Sequence, residues 1–180
     1  MNELSAPDAR LQPEIATERF VLRPLRRSDA GLIAHYTGDR RVAEGTRSIP
    51  HPLPPGAAEA YVERAMSPGR DEDVWAIDGS ANRLAELLGV VSLTRLEEGQ
   101  SELGFWIGAG FWNTGFATEA VAALVAANPH RSRTLFAEAF QDSGRGQQDT
   151  GRFRAELDAL PREEWPSTIR KLVSDQISLL

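Results

Sequence analysis

The stretch Gly104–Asn128, GFWIGAGFWNTGFATEAVAALVAAN, sets four glycines and two tryptophans directly ahead of an apolar helical run. A helix start leaves its first four amides without intrahelical partners, and the aligned peptide dipoles add partial positive charge there. Glycine in the preceding loop lets backbone amides approach a bulky anion with no Cβ in the way. In FWNTGFATEA, Gly115 falls at the turn, small Ala117 and Thr118 open the helix, and the apolar helix runs to about Ala127. A strand feeding such a loop, followed by a helix that returns to a sheet, fixes the class as α/β. The loop itself points to a phosphate-bearing guest.

Side chains narrow the choice of guest. Gly110 and Gly115 have the spacing of the triphosphate loop G-x-x-x-x-G-K-S/T, but Phe116 and Ala117 stand where lysine and a hydroxyl residue are required. Gly108 and Gly110 begin a dinucleotide pattern that meets Asn113 where its third glycine belongs. Backbone amides must then hold the anion alone, which suits a diphosphate.

The rest of the chain supplies the sheet. Residues 1–16 read as a flexible leader. TERFVLRPL alternates Phe20, Leu22 and Pro24 against Arg19, Val21 and Arg23, a first strand. Ser28 or Asp29 caps a helix through Tyr36 that Gly38 ends. SIPHPLPPG must be loop, and AAEAYVERAMS is helical by periodicity. VWAID, LAELLGVVSLTRL and SELGFWIG read as three strands; in the last, Leu103, Phe105 and Ile107 alternate with Glu102, Gly104 and Trp106. RTLFAEAF is the next strand after the helix. From Gln141 to Leu180 the character changes to polar, glycine-rich sequence and helix-like pieces broken at Pro161 and Pro166, with no strong strand.

Composition excludes several chemistries. The chain has no cysteine, so disulfides, thiolate zinc sites and a cysteine nucleophile are ruled out. His35, His51 and His130 lie far apart in no metal-binding helix motif, and no metal is expected. A net charge of −6, from 20 basic and 26 acidic residues, argues against a nucleic-acid partner. No apolar run approaches the roughly 20 residues that cross a bilayer, and the first residues carry no apolar signal core. A cytoplasmic protein without membrane partners is expected.

Trp112–Ala117, WNTGFA, resembles the pyrophosphate loop Q/R-x-x-G-x-G/A of the GNAT N-acetyltransferase superfamily. A tryptophan in its first position is the form used by the ribosomal-protein alanine N-acetyltransferase branch. TERFVLRPLRRSDA, LLGVVSL and SELGFWIG are similar to that branch's strands, and the resemblance covers roughly Thr17 to Asp142. It implies a mixed, mostly antiparallel central sheet with flanking helices, formed by residues 17–142, with 143–180 an atypical final third of the same domain. It also implies acetyl-CoA as cosubstrate and an amine acceptor, a peptide N-terminus or a small amine, which attacks the thioester directly.

The resemblance assigns residues as well. The backbone of Phe105, Trp106 and Ile107 would pair with the pantetheine arm. Trp112, Asn113, Thr114, Gly115, Phe116, Ala117 and Thr118 would form the pyrophosphate cradle. Glu102, in the family's A/S-E-L/I-G-F/Y strand, is the candidate general base. His35 and Tyr36 are candidate acceptor-pocket residues. The sequence departs from the family after its fifth strand: Ser143 falls where an asparagine is expected and Gly146 where a serine is. Ser143 is then the candidate to reprotonate the thiolate. A tail without the closing strands would leave a sheet edge open, and three explanations stand: a diverged tail that covers the edge with helices, a shifted reading frame in the source gene, or pairing with a second copy of the chain. Two other readings share these residues: a CoA-binding module without turnover, and an interaction protein whose glycine loop is only a tight turn.

Overall fold

The structure, a computed structural model, describes residues 12–142, 148–157, 162–164, 167 and 170–171. Seven strands form one sheet in chain order: β1 Ile15–Ala16, β2 Val21–Pro24, β3 Glu72–Asp78, β4 Gly89–Arg95, β5 Gln100–Ile107, β6 Thr134–Asp142 and β7 Gln148–Glu156. All neighbours are antiparallel except β5 and β6. Helices α1 Ala30–Thr37, α2 Arg40–Glu44 and α3 Ala57–Met66 lie between β2 and β3, and α4 Phe116–Ala127 is the crossover that a parallel pair requires. The expected mixed sheet with flanking helices is what forms.

Strand alternation sorts the core into two layers. One face of the sheet carries Leu22, Trp75, Ile77, Val91, Leu93, Leu103 and Ile107 against Phe116, Ala120, Val121 and Leu124 of α4. The other carries Val74, Ala76, Val90 and Trp106 against Ile33 of α1, Val42 of α2 and Ala58 and Val62 of α3. Each large apolar side chain buried this way contributes about 1.5–3 kcal/mol. The helix α4 is apolar on most of its surface because it packs on the sheet and under the β1 end, with Val121 and Leu124 fully buried.

Polar groups lock the α1 side. Arg23 of β2, only 2% exposed, donates from both terminal nitrogens to Asp29 at 2.9 Å and from Nε to Asp78 at 2.6 Å. Asp29 also accepts the amide of Arg26 at 2.7 Å. This buried triad ties the end of β3 to the start of α1. The hydrogen bonds that Arg23 donates to Asp29 and then Asp78, with the two carboxylate charges, hold the guanidinium above its ordinary pKa against its own desolvation. Asp78 ends low because its bonds from Ser80 and Arg23 outweigh burial.

Two sequence expectations are corrected. The leader is docked from residue 12 onward: Ile15 and Ala16 pair with β2, the Gln12 side chain donates to Val74 O at 2.7 Å, and Trp75 Nε1 donates to Pro13 O at 2.8 Å. A buried indole N–H needs an acceptor, and the leader backbone provides it. The segment after Asp142 also contains a strand: β7 pairs with β6 from Asp142↔Gln148 to Thr134↔Glu156. Its sequence, QDTGRFRAE, has only Phe153 and Ala155 as an apolar alternation, too weak to signal a strand before its partner is known. That pairing closes the edge of β6 that was expected to stand open.

Candidate active site

The parallel pairing of β5 with β6 is short. It runs from Gln100↔Thr134 to Leu103↔Ala137 and stops. Beyond it, β5 continues to Ile107 paired only with β4, and β6 continues to Asp142 paired only with β7. The two strands therefore diverge after Leu103 and Ala137, leaving a wedge lined by backbone on both sides. Gly99 O accepts the amides of Arg133 and Thr134 at 2.8 and 3.1 Å and fixes the closed end.

The glycine loop leaves the open end of β5. Ala109–Phe111 form a turn, Asn113 and Gly115 take positive φ of 62° and 79°, and Gly115 is the N-cap of α4. A residue with a Cβ is disfavoured in that conformation, which accounts for glycine at the cap. The first helical bond is Glu119 N to Gly115 O at 3.1 Å, so the amides of Phe116, Ala117 and Thr118 have no intrahelical acceptor. Asn113, Thr114 and Gly115 are exposed, while Phe116 and Ala117 are buried on the sheet. Trp112 donates its indole N–H to Ile107 O at 2.9 Å and stands beneath the Arg41 guanidinium, 5.8 Å from its ring centre. Trp112 is thus a strut between strand and loop.

The loop is also held from the far end of the chain. Arg19 donates its backbone amide and Nε to the two carboxylate oxygens of Glu119 at 3.0 and 2.5 Å, and Nη1 to Thr114 O at 2.8 Å. Its guanidinium lies 4.5 Å over the Phe116 ring. These bonds outweigh desolvation and hold the Glu119 carboxyl below its ordinary value. The sequence reading missed Arg19: no spacing rule links it to a helix one hundred residues away.

On the opposite face of the sheet lies a cavity of about 440 Å³, between β4 and β5, α1, α3 and the loop of residues 45–53. Glu102 is half-buried on its floor, together with Ser92, Thr94, Gly104 and Trp106. Phe105 reaches its edge, whereas Ile107 turns to the α4 side. From α1 it is Ile33 and Thr37 that line the cavity. His35 is exposed, and Tyr36 packs between Phe111 and Trp106, with ring centres 5.8 and 6.4 Å away. Residues one turn apart share a helix face, so the cavity takes Ile33 and Thr37 and excludes His35 and Tyr36. Burial holds the Tyr36 phenol above its ordinary pKa. Tyr61, Arg64 and Glu72 also line the cavity and were not singled out from sequence. Ser143 lies outside the described residues. Among the described residues no group of acidic or histidine side chains is arranged to hold a metal ion. No helix among them is long and apolar enough to cross a membrane.

This architecture is shared with known proteins. A Mycolicibacterium smegmatis mycocerosic acid synthase-like polyketide synthase is 48% identical over 48 residues, 27% of this chain. The chain spans about 2% of the length of that relative. The uncharacterized N-acetyltransferase p20 of Bacillus licheniformis is 27% identical over 118 residues, covering 61% of this chain and 62% of that protein. The microcin C7 self-immunity acetyltransferase MccE, solved with acetyl-CoA and AMP, superimposes with a TM-score of 0.60 at 15% identity, over 76% of this chain and 79% of the other. Residues 19–143 match the sequence profile described as the acetyltransferase (GNAT) domain, and with more than half of its length so matched the chain belongs to that family.

Proposed function

We propose that this protein transfers the acetyl group of acetyl-CoA to a primary amine, a peptide N-terminus or a small amine, by direct attack of the amine on the thioester. The observation that carries the reading is the conjunction of the wedge between β5 and β6 with the free amides of Phe116, Ala117 and Thr118 at its mouth. The backbone of Phe105–Ile107 would bind the pantetheine arm as a strand binds its neighbour, and the loop from Trp112 to Thr118 would hold the pyrophosphate. Amides at a helix start and a positive-φ glycine fit that group, which needs several donors at close approach and no lysine. Acetyl-CoA supplies an activated acyl group. The chain supplies position and a proton acceptor.

Glu102 is that acceptor in this reading. It sits on β5 two residues before Gly104, on the cavity side of the strand that lines the wedge. An incoming amine is an ammonium at neutral pH and must lose a proton before it attacks. No cysteine exists to carry the acetyl group, so a single displacement is the route. Ser143 is the proposed donor of the proton that the departing thiolate takes up.

Calorimetric titration with acetyl-CoA, followed by a screen of amine acceptors, tests the reading. A Gly115→Trp variant, which places a bulky side chain where Arg19 Nη2 already lies 3.4 Å from the Cβ position, should lose binding. Absence of binding to the unmodified protein would refute the assignment. Binding without transfer to any amine would reduce the protein to a CoA-binding module.

A further inference from the structure

The register of the meander places two carboxylates on the floor of the cavity. Glu72 of β3 pairs with Thr94 of β4, and Thr94 pairs with Glu102 of β5. Residues directly opposite in antiparallel strands point to the same face, so Glu72, Thr94 and Glu102 form one row across three strands. Neighbouring strands lie about 4.8 Å apart, so the two glutamates are separated by about 10 Å. Both are half-buried, both line the cavity, and neither has an ion-pair partner among the described residues.

We propose that Glu72 is a specificity residue, a second cation subsite that selects an acceptor bearing two ammonium groups at the ends of a short aliphatic chain. The inference rests on the proposed acetyl transfer: the reacting ammonium meets Glu102, and the distal ammonium meets Glu72. Between them the floor offers the Thr94 hydroxyl, and the walls offer Tyr61, Ile49 and Leu53 to a methylene chain.

The burial of the charges favours this occupant. Arg47 and Arg64 also border the cavity, but both are exposed, and the Arg64 guanidinium lies 6.0 Å from the Tyr61 ring centre. At the Tyr61 hydroxyl the Glu72 charge is felt more strongly than the Arg64 charge: burial first, then Glu72, raises that phenol, and Arg64 opposes them with the smaller effect. A half-buried charge is less screened by water than an exposed one. An acceptor with a carboxylate at its far end would meet Glu72 and be repelled.

Three probes of equal chain length test the proposal: hexamethylenediamine, hexylamine and ε-aminocaproate. They differ only at the end remote from the reacting amine. Each is titrated into the protein saturated with CoA and assayed as an acceptor with acetyl-CoA, for the unmodified chain, Glu72→Gln and Glu72→Lys. The expected order of affinity and of kcat/KM is diamine above monoamine above amino acid. The first step should be roughly tenfold, the size of one partly buried charge pair. Glu72→Gln should bring the three probes to within about twofold of one another, and Glu72→Lys should place ε-aminocaproate first. Because each comparison is made within one variant, a general loss of stability does not imitate the result. Transfer to all three probes with no order, or an order that Glu72→Gln leaves intact, overturns this inference and leaves the acetyltransferase reading standing. Failure to bind acetyl-CoA or CoA overturns both.

Discussion

Arg19 and Glu119, one hundred residues apart in the chain, meet at the mouth of α4, where one carboxylate takes both the backbone amide and the Nε of the arginine at 3.0 and 2.5 Å. Glu119 in the first turn already complements the helix dipole. What the contact adds is a tie from the strand edge to the loop, because Arg19 Nη1 also bonds Thr114 O at 2.8 Å. The αL residues Asn113 and Gly115 flank that carbonyl, so the tie holds the amides of the cradle in place.

Arg19→Met should therefore weaken acetyl-CoA binding by about five- to tenfold, one charged hydrogen-bond contribution, with a small loss of thermal stability. The side chain is 38% exposed, so most of its effect belongs on the ligand and little on the fold. Calorimetry on the variant measures both. An unchanged Kd would show that the loop holds its shape without Arg19.

Much of this arrangement was legible in the sequence, and the reasons it was legible are physical. The alternation of Leu103, Phe105 and Ile107 against Glu102, Gly104 and Trp106 fixed the two faces of β5, and the structure sends them to the α4 core and to the cavity side as that period requires. Gly115 announced a backbone conformation that other residues avoid. Contacts set by register or by distant segments left no such trace. Glu72 joins Glu102 only once β3, β4 and β5 are aligned, and Arg19 joins Glu119 only once the sheet and α4 have packed. His35 and Tyr36 were placed by analogy with a region, whereas the phase of α1 decides that Ile33 and Thr37 reach the cavity. β7 was hidden because only two of its residues alternate as a strand on a core would.

The Arg23 triad gives a stability prediction of a different size. Arg23→Met would leave Asp29 and Asp78 buried at 1% and 9% exposure with no cation between them. Removing one partner of a buried ion network costs about 3–5 kcal/mol, far more than the pair contributes over an apolar replacement. Chemical denaturation should show that loss, with Arg23→Lys recovering part of it through a single hydrogen bond. A change under about 1 kcal/mol would mean that water reaches the carboxylates.

Acid should attack the fold at Asp73. This carboxylate is 4% exposed and accepts from Arg70, Arg95 and His130 at 2.6, 2.6 and 2.8 Å. Desolvation alone would raise its pKa, but those three bonds overcome it and hold the group well below the usual carboxylate range. A pKa lower in the folded than in the unfolded chain adds stability that is fully present above the unfolded value, near 4, and is lost as pH falls below it. Asp78 acts in the same direction. Unfolding free energy should fall steeply below about pH 4. Asp73→Asn should be less stable at neutral pH and show a shallower acid slope. An acid slope identical to that of the unmodified protein would remove Asp73 as its source.

Glu102 is tested by how its loss depends on pH. Glu102→Gln keeps the side chain's shape on the cavity floor and removes its capacity to accept a proton. α4 packs on the other face of the sheet and no residue of the glycine loop lines the cavity, so acetyl-CoA affinity should be unaltered. Near neutral pH, kcat/KM for an amine should fall by about 10²–10⁴-fold, the usual contribution of a positioned base. Alkaline buffer then supplies what the variant lacks. As pH rises toward the pKa of an aliphatic amine, about 10.4, more acceptor arrives already deprotonated, and the variant's rate should climb about tenfold per pH unit toward that of the unmodified protein. A purely structural glutamate predicts a deficit that stays constant across the range. A glutamate that only binds the ammonium predicts a raised KM with kcat preserved. The converging pH profiles, with acetyl-CoA binding retained, are the signature that belongs to a base alone.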